Sequence, residues 1–250
     1  MFINQIFITD DETEPLSPYL KSATSSVINL IPHETHKIWR KEELRQWINK
    51  EYGNTFLNAF DKLVPYAYKS DLARYLLLYK FGGWYFDISI TVLTPITLNG
   101  QIDLLVFSDI QRNTGVSYAC IGSIIFSKAK NEIIKGTIKT ILKNIQNQYY
   151  GKNCLYPTGP ICLGKNVANC KDNQTIITGE FTELTPGFIN KNRAYILNDG
   201  SIFALHKPGE NKGGNIAYLG VNGSNDYGAL YNDRKIYDES VDLEDKAFKF

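Results

Sequence analysis

Apolar residues recur at helical spacing from Ala67 to Tyr79, at Leu72, Tyr75, Leu76 and Tyr79. The pattern then changes to alternation at Trp84, Phe86 and Ile88. The first period predicts a helix and the second a strand. Pro65 stands just ahead of the helix, where it disrupts no hydrogen bond, and Gly82-Gly83 supplies the stop. In the strand, Trp84, Phe86 and Ile88 are predicted to face one way, and Tyr85, Asp87 and Ser89 the other. A carboxylate therefore ends an apolar strand, and in open α/β sheets ligands bind beyond the carboxyl ends of strands. Asp71 and Arg74 are three apart and share one helix face. As an ordinary surface pair they would contribute roughly 0–1 kcal/mol.

Elsewhere strand and helix patterns alternate. Phe2 to Thr9 reads as an opening strand, Asp10 to Pro18 as an acidic loop, then a short helix and a strand over Ser26 to Ile31. Lys41 to Tyr52 and Thr55 to Leu63 read as helices, and Ile90 to Leu93 as extended chain turning at Pro95. Asp103 to Ser108 is a short apolar strand of parallel-sheet character ending at Asp109. Val116 to Ser127 alternates weakly. Asn131 to Tyr149 is an amphipathic helix with a core-facing stripe from Ile134 to Ile145. Thr158-Gly159-Pro160 opens another helix. Thr175 to Ile189 and Arg193 to His206 are β-rich, and Asp226 to Tyr237 predicts a last helix. The expected fold is α/β, a Rossmann-like single domain over 1–250 with a mixed central sheet.

Composition narrows the partners. A net charge of +1 argues against a nucleic-acid binder that relies on a broad basic face. The four cysteines, Cys120, Cys154, Cys162 and Cys170, form no C-x-x-C pair, which disfavours zinc; they read as reduced, as in cytoplasm. His33 and His36 have no accompanying carboxylate or cysteine cluster, which disfavours a metal pair there. No apolar run approaches the roughly 20 residues of a membrane span, and the opening residues read as a strand, not a signal peptide. The tail from Asp242 to Phe250, with Phe248 and Phe250, offers a peripheral contact with an inner membrane. Oligomeric state is not legible.

The run K-S-D-L-A-R-Y-L-L-L-Y-K-F-G-G-W-Y-F-D-I-S resembles the signature of glycosyltransferase family 32 and its sugar-transferring toxin relatives. Ser70, Asp71, Arg74, Tyr75, Gly82, Gly83, Tyr85 and Asp87 match it. Ser89 stands where the family's D-x-D motif has its second Asp. The resemblance implies a GT-A-like fold, with 1–110 mainly binding a nucleotide sugar and 111–250 mainly the acceptor side and a metal and diphosphate loop. It places the end of the first strand, Phe7, Ile8 and Thr9, under the nucleotide base, and Asp109 near the donor sugar. It makes Asp87 the first metal ligand, with Ser89 a neutral ligand and the late His206 another. It also implies that Thr158, Gly159, Pro160 and Leu163 line the acceptor or sugar side. In the strand about Val116 to Ser127 the family carries an asparagine that the chain lacks, having Ile121-Gly122-Ser123 instead.

The chemistry follows from these residue types. A departing diphosphate gathers negative charge, which Mn2+ or Mg2+ and basic residues stabilise. Lys207 and Lys212 lie in a glycine-rich loop whose amides could approach the diphosphate closely. Asp71 and Arg74 would orient the donor through hydrogen bonds, or buttress Asp87. With Asp87 these two form the candidate catalytic group. The leading expectation is a retaining, metal-assisted transferase moving a hexose from a UDP-sugar to a saccharide or lipid-linked saccharide in bacterial surface polysaccharide synthesis. Two other readings stay open: a donor-binding homologue without turnover, and a metal-dependent phosphoesterase using Asp87, Asp109 and His206.

Overall fold

The computed structural model describes residues 1–98, 101–171, 173–184, 193–209, 214–243 and 248. The first half runs β1 (Phe2–Ile6), α1 (Pro18–Leu30), β2 (Thr35–Trp39), α2 (Lys41–Tyr52), α3 (Asn54–Lys62), α4 (Tyr66–Phe81), β3 (Gly83–Phe86) and β4 (Thr91–Val92). The second runs β5 (Leu104–Ser108), α5 (Gln111–Thr114), β6 (Cys120–Ser127), α6 (Glu132–Gln146), α7 (Pro160–Ala168), β7 (Ile176–Glu183), β8 (Arg193–Ile196), β9 (Ile202–Leu205) and α8 (Tyr227–Asn232).

The strands form one nine-stranded sheet, in the order β2-β1-β3-β6-β5-β7-β8-β9-β4. β1 lies parallel to β2 and β3, and β5 parallel to β7. The remaining pairs are antiparallel. The expected α/β fold around a mixed sheet is therefore present. The parallel character expected of β5 holds on its β7 side only, because β6 runs against it on the other.

β3 divides the core. Trp84 and Phe86 join one cluster with Val27, Phe107 and Phe203, while Tyr85 on the other face joins the cluster of α4 and α6. Gly83 lets β3 meet β1: a Cβ there would stand 2.3 Å from the Phe2 carbonyl oxygen. α4 is buried nearly all round, from Tyr68 to Tyr79. Such a helix belongs in the interior, and α4 packs against the sheet, α3 and α6.

Three local expectations are corrected. Ser26 to Ile31 is not a strand: α1 continues to Leu30. The Ser17 hydroxyl caps α1, Pro18 starts it, and Leu20, Ala23, Thr24 and Val27 form its buried stripe. Within the expected strand, Val27 ends that stripe, Ile28 is exposed and Ile31 is the buried C-cap of the helix. The strand expected through Ser89 stops at Phe86, and a turn follows in which Ile90 N–H donates to the Asp87 carbonyl. The last helix is shorter than expected, capped by Asp226 and ending at Asn232. Phe248, offered to a membrane surface, packs edge-on against Phe56 at 5.4 Å. Phe250 lies outside the described residues. All four cysteines are free thiols. Among the described residues, no helix is long and apolar enough to cross a membrane.

Candidate active site

The ends of β1, β3, β5 and β9 and the start of α7 surround a cleft of about 230 Å³. It brings together Asp71, Arg74, Asp87, Ser89, Asp109, His206 and Lys207, all singled out in the sequence. Phe7 and Ile8 line it too. Thr9 turns away, its hydroxyl donating to the Asp11 carbonyl at 2.8 Å. Lys212 lies outside the described residues. His33 and His36 bond locally, to the Ile31 carbonyl and the Gln5 side chain.

Arg74 is the hub. Its Nε donates to the Ser70 carbonyl at 3.2 Å and its Nη1 to the Gly122 carbonyl at 2.5 Å. Its Nη2 lies 3.2 Å from Asp71 Oδ1 and 3.4 Å from Asp87 Oδ1. The guanidinium carbon sits 4.6 Å from the Tyr85 ring centre. With its donors turned to protein groups, Arg74 fits the buttress role better than direct hydrogen bonding to a donor. The pair expected on a helix surface is instead buried.

Asp71 accepts a 2.7 Å bond from the Thr158 hydroxyl. Burial raises its pKa against the pull of Arg74 and Thr158. Asp87 is held on three sides. Its N–H donates to the Ser123 carbonyl at 2.7 Å, Tyr85 Oη donates to its Oδ1 at 2.8 Å, and Arg74 flanks it. Its side chain remains 32% exposed, open to a ligand. Ser89 follows in the turn; it is buried, and its carbonyl accepts from Tyr19 Oη at 3.2 Å.

Gly122 and Ser123 play parts that the sequence did not suggest. Glycine inside a strand often marks a close approach, a signal that the absence of the family asparagine at this place obscures. A Cβ at Gly122 would stand 2.8 Å from Arg74 Nη1 and 3.3 Å from Tyr75 Oη. Gly122→Ala is expected to displace the guanidinium and lower stability by about 1–3 kcal/mol, the cost of overpacking a filled site. Thermal melts and a nucleotide-release assay check this; a variant matching wild type in both would remove Gly122 from the site.

The far wall comes from β5, β8 and β9. Burial pushes the Asp109 carboxyl up to about 6, while the Ile110 N–H and the field of Arg193 oppose the rise. The folded pKa thus exceeds the unfolded one, so the native state binds the proton more tightly. Stability from this group is present at low pH and is lost as pH rises from about 4 to about 6. Asp109→Asn is expected to gain about 1 kcal/mol at about pH 8 and nothing below about pH 4, measured by urea unfolding. An equal effect at both pH values would contradict this.

His206 packs 5.4 Å from the Phe181 ring, and its N–H donates to the Arg193 carbonyl. Burial, with Lys207 and Arg193 nearby, depresses its pKa well below the usual value. Its Nδ1 is buried without a hydrogen-bond partner. A neutral imidazole with an unpartnered ring nitrogen in the same cleft as a carboxylate suits a divalent ion such as Mn2+. Among the described residues no group of three His, Cys, Asp or Glu side chains forms a ready metal site. Asp87, His206 and Ser89 are the side chains of this cleft that could hold an ion, its remaining ligands coming from water and substrate oxygens.

Residues 17–107, which include Asp71, Arg74, Asp87 and Ser89, match the family model for a glycosyltransferase sugar-binding region containing a DXD motif. This stretch is similar to a glycosyltransferase sugar-binding region. The resemblance read from the sequence is thereby borne out. The sugar-binding region ends before Asp109, His206 and Lys207, which the sheet folds back onto it. The chain is 34% identical over 68 residues to inositol phosphoceramide mannosyltransferase 3 of Schizosaccharomyces pombe, covering 27% of this chain and 19% of that protein. It is 28% identical over 86 residues to an uncharacterized glycosyltransferase of Acanthamoeba polyphaga mimivirus, covering 34% of each. The matches thus span about a third or less of these relatives' lengths. Among solved structures, the PaToxG glycosyltransferase aligns with TM-score 0.48 and 18% identity over 66% of this chain and 67% of that one.

Proposed function

We propose that this protein is a retaining glycosyltransferase that moves a hexose from a nucleotide sugar to a hydroxyl of a saccharide or lipid-linked saccharide. One observation carries the reading: Asp87 of the sugar-binding region shares a single cleft with His206 and Lys207, which lie far downstream in the sequence. That combination supplies a carboxylate, a neutral imidazole and a cation around the space for a diphosphate.

Phe7 and Ile8 offer an apolar wall for the nucleotide base. The bond from the anomeric carbon to the diphosphate oxygen breaks, and the electron pair leaves with the diphosphate. The acceptor hydroxyl attacks the anomeric carbon on the face just vacated, and its proton passes to a diphosphate oxygen. A divalent ion held by Asp87, Ser89 and His206 would stabilise the leaving charge as a Lewis acid. Arg74 and Tyr85 fix the Asp87 carboxylate in place, which lowers the reorganisation needed during reaction. Lys207 adds positive charge on the diphosphate side, with Lys212 a further candidate on the same loop.

A UDP-hexose is the favoured donor, and a surface polysaccharide the favoured setting. GDP-mannose stands next, supported by the mannosyltransferase name of the fission-yeast relative. Ser89 in place of a carboxylate favours a second reading, donor binding without transfer. Nucleotide release from a panel of UDP- and GDP-sugars, with manganese, magnesium or EDTA, separates the two. Slow hydrolysis of one donor, lost in EDTA, is expected. A donor that raises the melting temperature without being hydrolysed under any condition would favour the second reading, and no binding at all would overturn both.

A further inference from the structure

Ser89 leaves the cation side of the cleft with one carboxylate, Asp87, beside neutral donors. The opposite side carries more positive charge than the sequence suggested. Arg193 opens β8, and Lys207 lies two residues beyond the end of β9. The two strands pair antiparallel, and His206 N–H donates to the Arg193 carbonyl at 2.8 Å, so both cations emerge at the same end of the sheet. Both line the cleft, yet only 7% of Arg193 and 8% of Lys207 is exposed.

Neither cation is neutralised. Arg193 Nε is buried with no hydrogen-bond partner, and Nη2 makes one long contact, 3.4 Å to the Gly209 carbonyl. Among the described residues neither Arg193 nor Lys207 takes part in an ion pair. Asp109 acts on Arg193, and Asp87 and Asp226 act on Lys207, only through the field across the cleft. Buried charge without a partner is costly, and a guanidinium with free donors in a cleft suits a planar or tetrahedral oxyanion. A diphosphate has the charge and the oxygen count to meet both.

We propose that Arg193 and Lys207 form a cradle that binds the diphosphate of a nucleotide without a divalent ion. The inference rests on the glycosyltransferase reading and deepens it: the cation near Asp87 serves turnover, and the two buried side chains serve binding. The weak cation site left by Ser89 is then compensated on the phosphate side.

The test is calorimetric titration of the full chain with UDP, GDP and inorganic pyrophosphate, in EDTA and in manganese. One nucleoside diphosphate is expected to bind in EDTA within roughly tenfold of its affinity in manganese. Pyrophosphate should compete with it, since the cradle reads phosphate oxygens and not the base. Arg193→Gln is expected to weaken binding in EDTA by roughly 30-fold or more, as charge-assisted hydrogen bonds are lost. Arg193→Lys should recover part of that loss by keeping the charge without the fork. Should Arg193→Gln not fold, Arg193→Lys and Lys207→Gln carry the same comparison. Binding that appears in manganese and vanishes in EDTA would overturn the cradle and leave the glycosyltransferase reading intact. So would Arg193 and Lys207 variants that bind like wild type in EDTA. Absence of binding by nucleoside diphosphates and by nucleotide sugars, with manganese present, would overturn both.

Discussion

Arg74→Met is expected to lower stability by about 3–5 kcal/mol, as removal of one partner from a buried charge cluster does. For a domain of this size that is a drop in melting temperature on the order of 10 °C. The size follows from what the guanidinium touches. It closes two backbone carbonyls, at Ser70 and Gly122, and faces two carboxylates, Asp71 and Asp87. Methionine fills the volume and answers none of them. Asp71 would retain only the Thr158 hydroxyl in a buried setting. Burial already raises its pKa, and losing Arg74 removes the main opposing pull. The Asp71 part of the loss should therefore shrink as pH falls and the carboxyl takes up a proton. Arg74→Lys should recover little, because a point charge cannot reach four acceptors in a fixed fork. Urea unfolding of both variants at two pH values reads this directly. A loss of less than about 1 kcal/mol, or one independent of pH, would mean that the cluster is not the keystone its contacts indicate.

The sequence located this cluster but misjudged its setting. Helical period through Leu72, Tyr75, Leu76 and Tyr79, followed by Gly82-Gly83, places α4 within two residues of where it lies and the start of β3 within one, although β3 ends three residues earlier than expected. Those signals are local, so they survive folding. The solvent-facing side expected of Asp71 and Arg74 does not exist, because Gly122 of β6 and Thr158, just ahead of α7, close against it. That closure depends on residues distant in sequence, Gly122 and Thr158, whose meaning appears only once the chain returns. The strand-like run at Ser26 to Ile31 failed for a related reason. β-branched residues suit a strand by propensity, but the Ser17 cap and the packing of Val27 under the sheet hold them in α1. Arg193 gave only a weak signal, an arginine opening a short apolar run. Its burial and its unpartnered Nε are facts of tertiary structure alone.

The proposed division of roles, binding on one wall and bond-breaking on the other, sets the expectation for Asp87→Asn. The amide keeps the shape of the carboxylate and can still accept from Tyr85, so the fold should lose about 1 kcal/mol or less. Rate should fall much further, on the order of 100- to 1,000-fold, as when one preorganised electrostatic group is removed from a reacting centre. The reason lies in how Asp87 is held. The Ser123 carbonyl, Tyr85 and Arg74 fix it from three directions, and its exposed part faces the cleft. Constraint of that kind has no use in a surface aspartate, but it suits a charge that must be in place before the diphosphate leaves. The variant should also lose any rate response to manganese, since its remaining candidate donors, Ser89 and His206, are neutral. Nucleoside diphosphate binding in EDTA should persist, because Arg193 and Lys207 are untouched. Nucleotide release and calorimetry on one preparation give both quantities. A variant that keeps more than about a tenth of the wild-type rate, with the same manganese response, would move the site of charge stabilisation away from Asp87. One that loses rate and binding together would mean that the two walls do not act separately.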